Sequence, residues 1–142
     1  DGCEAITRMG YSKRHYLGST NPTFNSTPMQ VHYLEIVTPD VDAVCATYAQ
    51  LHGVAFSVPE VALGNAHTAP LSDGGKIGVR APMHETEAPV VRPYLLVDDI
   101  EAAIKAVEKQ GGTIAHPPME LPGHGTFAIF IQGGVHHGLW QR

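Results

Sequence analysis

Residues 31–53 read VHYLEIVTPDVDAVCATYAQLHG, and residues 90–112 read VVRPYLLVDDIEAAIKAVEKQGG. Each is a short apolar run, an Asp, an amphipathic segment and a glycine. An offset of 59 positions, from 40 to 99, lays Asp40 on Asp99, Ala43 on Ala102 and Gly53 on Gly112. The same offset lays Pro59 on Pro118, Gly64 on Gly123, and Gly74-Gly75 on Gly133-Gly134. A single offset that keeps strand runs, helix caps and turn residues in phase indicates an internal duplication.

Within the first copy, Val31 to Val37 carries β-branched and aromatic residues that suit a strand. His32, Leu34 and Ile36 share one face of it, Tyr33, Glu35 and Val37 the other. Thr38-Pro39-Asp40 supplies a capping side chain, a proline for the first turn and an acid for the positive end of a helix dipole. Val41, Val44, Cys45, Tyr48 and Leu51 follow at helical spacing, and Gly53 is the stop. Cys45 then reads as a small apolar residue. Strands are expected over Val54–Val58, about 64–71 and Lys76–Ala81, the last two joined by the turn Ser72-Asp73-Gly74-Gly75. The second copy predicts a strand at Arg92–Val97 and an Asp-capped helix with Ile100, Ala103, Ile104 and Val107 on its apolar face. Strands at Thr113–His116, Gly125–Ile131 and His136–Gln141 complete it. The order is β-α-β-β-β twice, an α+β chain. Module one covers 29–87 and module two 88–142, meeting at the acidic, proline-flanked linker PMHETEAP. Residues 1–28 have neither a strand nor a helix period and read as an extended N-terminal leader.

The 142 residues suit one domain, with 43% hydrophobic and 16% charged residues. A formal charge of −5 gives no footprint for nucleic acid or an anionic membrane. No apolar run reaches the length of a membrane span, and nothing reads as a signal peptide. Two cysteines, Cys3 and Cys45, make no disulfide framework, so a reducing, cytoplasmic setting is expected. No glycine-rich phosphate loop precedes a helix, no Gly-x-Ser-x-Gly elbow exists, and neither cysteine has a credible base.

The duplicated order, with Asp opening each helix and GLWQ near the end, resembles the vicinal oxygen chelate superfamily, also called the glyoxalase, bleomycin-resistance and extradiol-dioxygenase fold. YLEIVTPDVDAV resembles its first strand and helix start, YLLVDDIEAAIKAVEKQGG its second, and GTFAIFIQGGVHHGLWQ its closing hairpin. The turn in that hairpin, Gln132-Gly133-Gly134, departs from the usual Asp-Pro-x-Gly. The resemblance covers residues 29–142 and implies two modules forming one cupped mixed sheet, helices outside, a central cavity and frequent dimers. It also implies, in metal-dependent members, ligands on the first and last strands of each module. The corresponding positions here hold Tyr33, Arg92, Gly138 and either Gly78 or Val79, so the usual ligands are missing and no metal or other cofactor is expected.

Tyr33 and Glu35 share a face, and the duplication places Arg92 and Tyr94 across from them. With Trp140, these five are the expected ligand-binding wall: aromatic sides with polar edges. Glu35 reads as an ion-pair or hydrogen-bond partner of Arg92 or Tyr94, as a ligand contact, or as a general base. Arg92 could clamp an anion. The histidines are scattered. His136 and His137 point to opposite faces, His67 and His124 fall in loop-strand regions, His52 closes a helix, His84 lies in the acidic linker, and His32 should pack under the first helix. The expected function is metal-independent binding, with possible sequestration, of a small aromatic or carboxylate molecule by a homodimer with no nucleic-acid or membrane partner; turnover stays open. One alternative is a metal-dependent lyase, isomerase or dioxygenase using Glu35, His67 and His136 or His137. Another is a dimeric interaction module.

Overall fold

The computed structural model describes residues 28–142, so the expected leader lies, except for Pro28, outside the described residues. Module one forms β1 (Val31–Val37), α1 (Val41–His52), β2 (His67–Pro70) and β3 (Lys76–Arg80), with short 3₁₀ segments at Val61–Leu63 and Ser72–Gly74. Module two forms β4 (Val90–Leu96), α2 (Ile100–Lys109), β5 (Thr113–Leu121), β6 (Gly125–Gln132) and β7 (Val135–Gln141).

All seven strands join one mixed sheet in the order β2-β3-β1-β4-β7-β6-β5. Its centre is the antiparallel pair β1–β4, which sets Tyr33 opposite Tyr94 and Glu35 opposite Arg92. A parallel neighbour flanks each central strand, β3 beside β1 and β7 beside β4. The duplication is therefore visible as two halves meeting along their first strands. Gly64 and Gly123, 59 apart in sequence, both turn the chain at positive φ, 67° and 80°, where a side chain would be strained.

Val54–Val58, expected as a strand, forms no ladder. It runs beside β2 through Ser57, whose N–H donates to the Thr68 carbonyl at 2.7 Å while its Oγ accepts from Thr68 N at 2.9 Å. β2 has only four residues and ends on Pro70, which has no N–H. It offers too few groups for a third strand. The counterpart in module two, β5, has nine residues and pairs along β6. It outruns the expected Thr113–His116 because Pro117-Pro118 sit on an edge strand, where a register shift absorbs them.

The helices cover one face. Val41, Val44, Cys45 and Tyr48 of α1 pack on Ile36, Ala69, Ile77 and Val79. Ile100, Ala103 and Ile104 of α2 pack on Ala128 and Leu139. Leu51, expected on the same face, is 70% exposed and is not among the α1 residues packed on that core. Burial pushes the Cys45 thiol up, consistent with a packing role. Asp99 caps α2 as expected, accepting from the N–H groups of Glu101 and Ala102. Asp40 makes no side-chain cap bond; Thr38 Oγ1 instead accepts from Asp40 N at 3.0 Å. No helix among the described residues is long and apolar enough to cross a membrane.

Candidate functional site

Strand alternation sends every second side chain away from the helices. On β1 these are Tyr33 and Glu35, on β4 Arg92 and Tyr94, on β6 Phe127 and Ile129, on β7 Trp140. They line a cavity of about 290 Å³, which all five expected wall residues share. The volume is at the small end of ligand pockets, roughly 300–1,000 Å³. Sequence reasoning missed Arg80, His116, Phe127 and the mouth residues Met83 and Met119, all of which border it. Alternation along Gly125–Gln132 could have found Phe127. Arg80, the one charge ending the buried strand KIGVR, was the signal for a paired cation.

The floor is ionic. Glu35 is 7% exposed and Arg80 5%. Arg80 Nε donates to Glu35 Oε2 at 3.0 Å, Arg92 Nη1 donates to Oε1 at 2.6 Å, and the Tyr94 hydroxyl donates to Oε1 at 3.3 Å. Arg80 Nη2 in turn donates to Glu87 Oε1 at 2.6 Å, which holds the Glu87 carboxyl below the usual range. The expected pairing of Glu35 with Arg92 and Tyr94 is thus present, with Arg80 added. The walls are aromatic: Tyr33 and Tyr94 rings lie 5.4 Å and 5.8 Å from the Trp140 ring. Trp140 Nε1 donates to the His124 carbonyl at 2.9 Å, which fixes the indole. His32, expected under α1, lies instead beside Trp140, ring centres 5.7 Å apart and tilted by 45°. A bulge between Val31 and Tyr33 breaks the alternation there.

Two buried polar atoms of cavity residues have no protein partner, the Tyr33 hydroxyl and Arg92 Nε. An unpaired buried hydroxyl costs about 1–3 kcal/mol. Tyr33→Phe is therefore expected to leave stability unchanged or raise it by about 1 kcal/mol. Tyr94→Phe, losing its bond to Glu35, should lower stability by roughly 1–2 kcal/mol. Urea unfolding of the two variants side by side reads the contrast; equal losses would mean that both hydroxyls are paired.

Burial, with the Glu35 charge adding to it, pushes the Tyr94 phenol up to about 12 and the Tyr33 phenol upward as well. An unfolded phenol titrates near 10. The folded state then holds protons that the unfolded state releases, so this contribution is full below about pH 10 and is lost as pH rises toward the folded value. Unfolding midpoints should fall more steeply between about pH 10 and about pH 12 in the wild type than in Tyr94→Phe. Equal slopes would place the Tyr94 phenol in solvent.

The four positions to which the resemblance assigns metal ligands do not fit an ion here. Tyr33 lies over Gly78 so closely that a β-carbon there would overlap its hydroxyl, and Tyr94 lies over Gly138 with ring carbons 2.5 Å from where a β-carbon would stand. Phenol rings fill the space that ligand side chains would need, Val79 is buried, and Arg92 brings a positive charge. The alternative set is not assembled either: His67, His136 and His137 do not border the cavity. His67 Nδ1 lies 2.8 Å from the Ser57 carbonyl, and His137 stacks on Phe130. Among the described residues, no three His, Cys, Asp or Glu side chains form a group that could hold an ion.

This fold, two halves joined along their first strands around a cup, is the one that the resemblance to the vicinal oxygen chelate superfamily implies, and it is shared by several solved structures. The hypothetical protein BH1468 from Bacillus halodurans C-125 superposes with a TM-score of 0.66 at 14% identity, over 82% of this chain and 96% of that one. Methylmalonyl-CoA epimerase from Mycobacterium tuberculosis superposes with a TM-score of 0.62 at 16% identity, over 77% and 85% of the two chains. In sequence, the anthracycline biosynthesis protein DnrV of Streptomyces peucetius is 27% identical over 127 residues, and DauV of Streptomyces sp. (strain C5) 26%. The chain spans about half the length of these curated relatives, 46% of each. No family model matches the sequence.

Proposed function

We propose that the protein binds a small, flat aromatic molecule in the cup without using a metal, and that it holds this molecule without turning it over. The observation that carries the reading is the combination of aromatic walls with an ionic floor whose carboxylate is already engaged by three donors. A base that is to abstract a proton must reach the substrate with a free lone pair; three donors hold Glu35, two on Oε1 and one on Oε2, which ties the carboxylate to the protein. Apolar walls with a few placed polar groups are the usual make-up of a small-molecule site. The sequence likeness to proteins named for anthracycline biosynthesis supports a fused-ring aromatic ligand. The domain boundary near residue 29, the cytoplasmic setting and a homodimer belong to the same proposal. The cup is built within one chain, so binding should persist whatever mass is measured in solution.

Trp140 is the one tryptophan in the chain and lines the cavity. Titration with a hydroxyanthraquinone should quench its emission saturably, at one ligand per chain and with a Kd of micromolar order. Absence of saturable quenching across a panel of fused-ring aromatics would overturn the reading. Elemental analysis after dialysis against Zn²⁺, Ni²⁺ or Mn²⁺ tests the metal clause. One retained ion per chain, lost in Glu35→Gln, would replace the reading with a metalloenzyme.

A further inference from the structure

Of the unpaired groups of the cavity residues, Arg92 Nε can only donate, and the Tyr33 hydroxyl can donate or accept. Arg92 Nε and the Tyr33 hydroxyl are buried with nothing to donate to. The acceptor in the floor, Glu35, takes hydrogen bonds from Arg80, Arg92 and Tyr94. Arg92, which lines the cavity and can only donate, therefore favours a ligand that brings an acceptor.

The charge of the floor narrows this further. Two guanidinium groups, Arg80 and Arg92, face two carboxylates, Glu35 and Glu87, in one chain of ion pairs. The positive charges are already balanced within the protein. A carboxylate entering from solvent would bring an uncompensated charge into a mostly apolar cavity and lose its hydration there. A neutral carbonyl loses little hydration and can accept from the charged guanidinium of Arg92, which strengthens the bond.

We infer that the cup selects a neutral, carbonyl-bearing aromatic, a ketone or quinone, over an aromatic carboxylate, with Arg92 as the group that recognises the carbonyl and Glu35 and Glu87 as the residues that set the charge preference. This rests on the aromatic-binding reading above and names the ligand class for the same site.

Three probes of nearly equal shape separate the possibilities: acetylnaphthalene, ethylnaphthalene and naphthoate. Calorimetric titrations at around pH 8 keep imidazole charge out of the comparison. Acetylnaphthalene should bind at least about tenfold tighter than either of the others. Arg92→Met should erase the gap between the acetyl and ethyl compounds. Glu35→Gln leaves a net positive floor, so the naphthoate-to-acetylnaphthalene affinity ratio should rise about tenfold or more. Glu87→Gln should move the ratio in the same direction by less, being farther from the cavity; it keeps the charge test open should Glu35→Gln fail to fold. Equal binding of the acetyl and ethyl compounds overturns the inference, as does naphthoate binding tightest to the wild type; in either case the aromatic-binding reading stands. Failure of all three compounds to bind overturns both.

Discussion

Replacing Glu35 by leucine is expected to lower the unfolding free energy by about 3–5 kcal/mol, the cost of removing one partner from a buried ion pair. Both guanidinium groups it holds are largely out of solvent, with side-chain exposures of 6% for Arg80 and 13% for Arg92. Without the carboxylate, Arg92 loses its partner at 2.6 Å, and Arg80 is left with Glu87 and the Ala81 carbonyl. Two like charges would then sit near each other in an apolar setting. The loss should be partly recovered in the double variant Glu35→Leu, Arg92→Met, because the second change removes the charge that the first one strands. Equilibrium urea unfolding measures both. A single-variant loss below about 1 kcal/mol would mean that the cluster behaves as an exposed salt bridge.

Gly138→Ala is the second large effect. Its backbone is extended, so no strain of conformation is involved; the cost is space. A β-carbon there would stand 2.5 Å from Cγ and Cδ1 of Tyr94 and 2.8 Å from the Pro93 carbonyl oxygen. Cγ is the root of the ring and the carbonyl belongs to the partner strand, so neither can swing aside. β7 must separate from β4, or the Tyr94 ring must leave the cavity wall, and the latter breaks its bond to Glu35. Overpacking of this kind costs roughly 1–3 kcal/mol, and a loss of about 3 kcal/mol with weakened ligand binding is expected because the hydrogen bond goes too. Gly53→Ala is the control. It meets nothing within 4 Å and carries only the penalty of its positive φ, 64°, so binding should not change. Unchanged stability in Gly138→Ala would mean that the sheet is looser at that seam than described.

The pairing of Glu35 with Arg92 and Tyr94 was legible because two facts combine. Residues two apart on a strand share a face, and the resemblance implies that the two duplicated modules form one cavity; the structure pairs the first strands antiparallel across its centre. The five expected wall residues line one cavity for that reason. The histidines were harder to place. Most lie where alternation and turn positions put them, but His32 does not, because one bulged residue changes the face and no residue type announces a bulge. Arg80 was missed because its partners come from 45 residues upstream and seven downstream, and no local spacing links them. The strand at Val54–Val58 was overcalled for a related reason. Its residues suit a strand, but β2 beside it is too short to accept one.

The sequence by itself determined the duplication, the helix starts and stops, the sheet faces outside the bulge at His32, and the residue types at the usual ligand positions, since each depends on residue type and short-range spacing. Only the tertiary structure decided what takes the place of those ligands. It lays the phenol of Tyr33 over Gly78 and that of Tyr94 over Gly138, and closes Glu35 between two arginines from different strands. Those are contacts between distant segments, fixed by strand register and side-chain volume, and register is set only when the whole sheet has assembled.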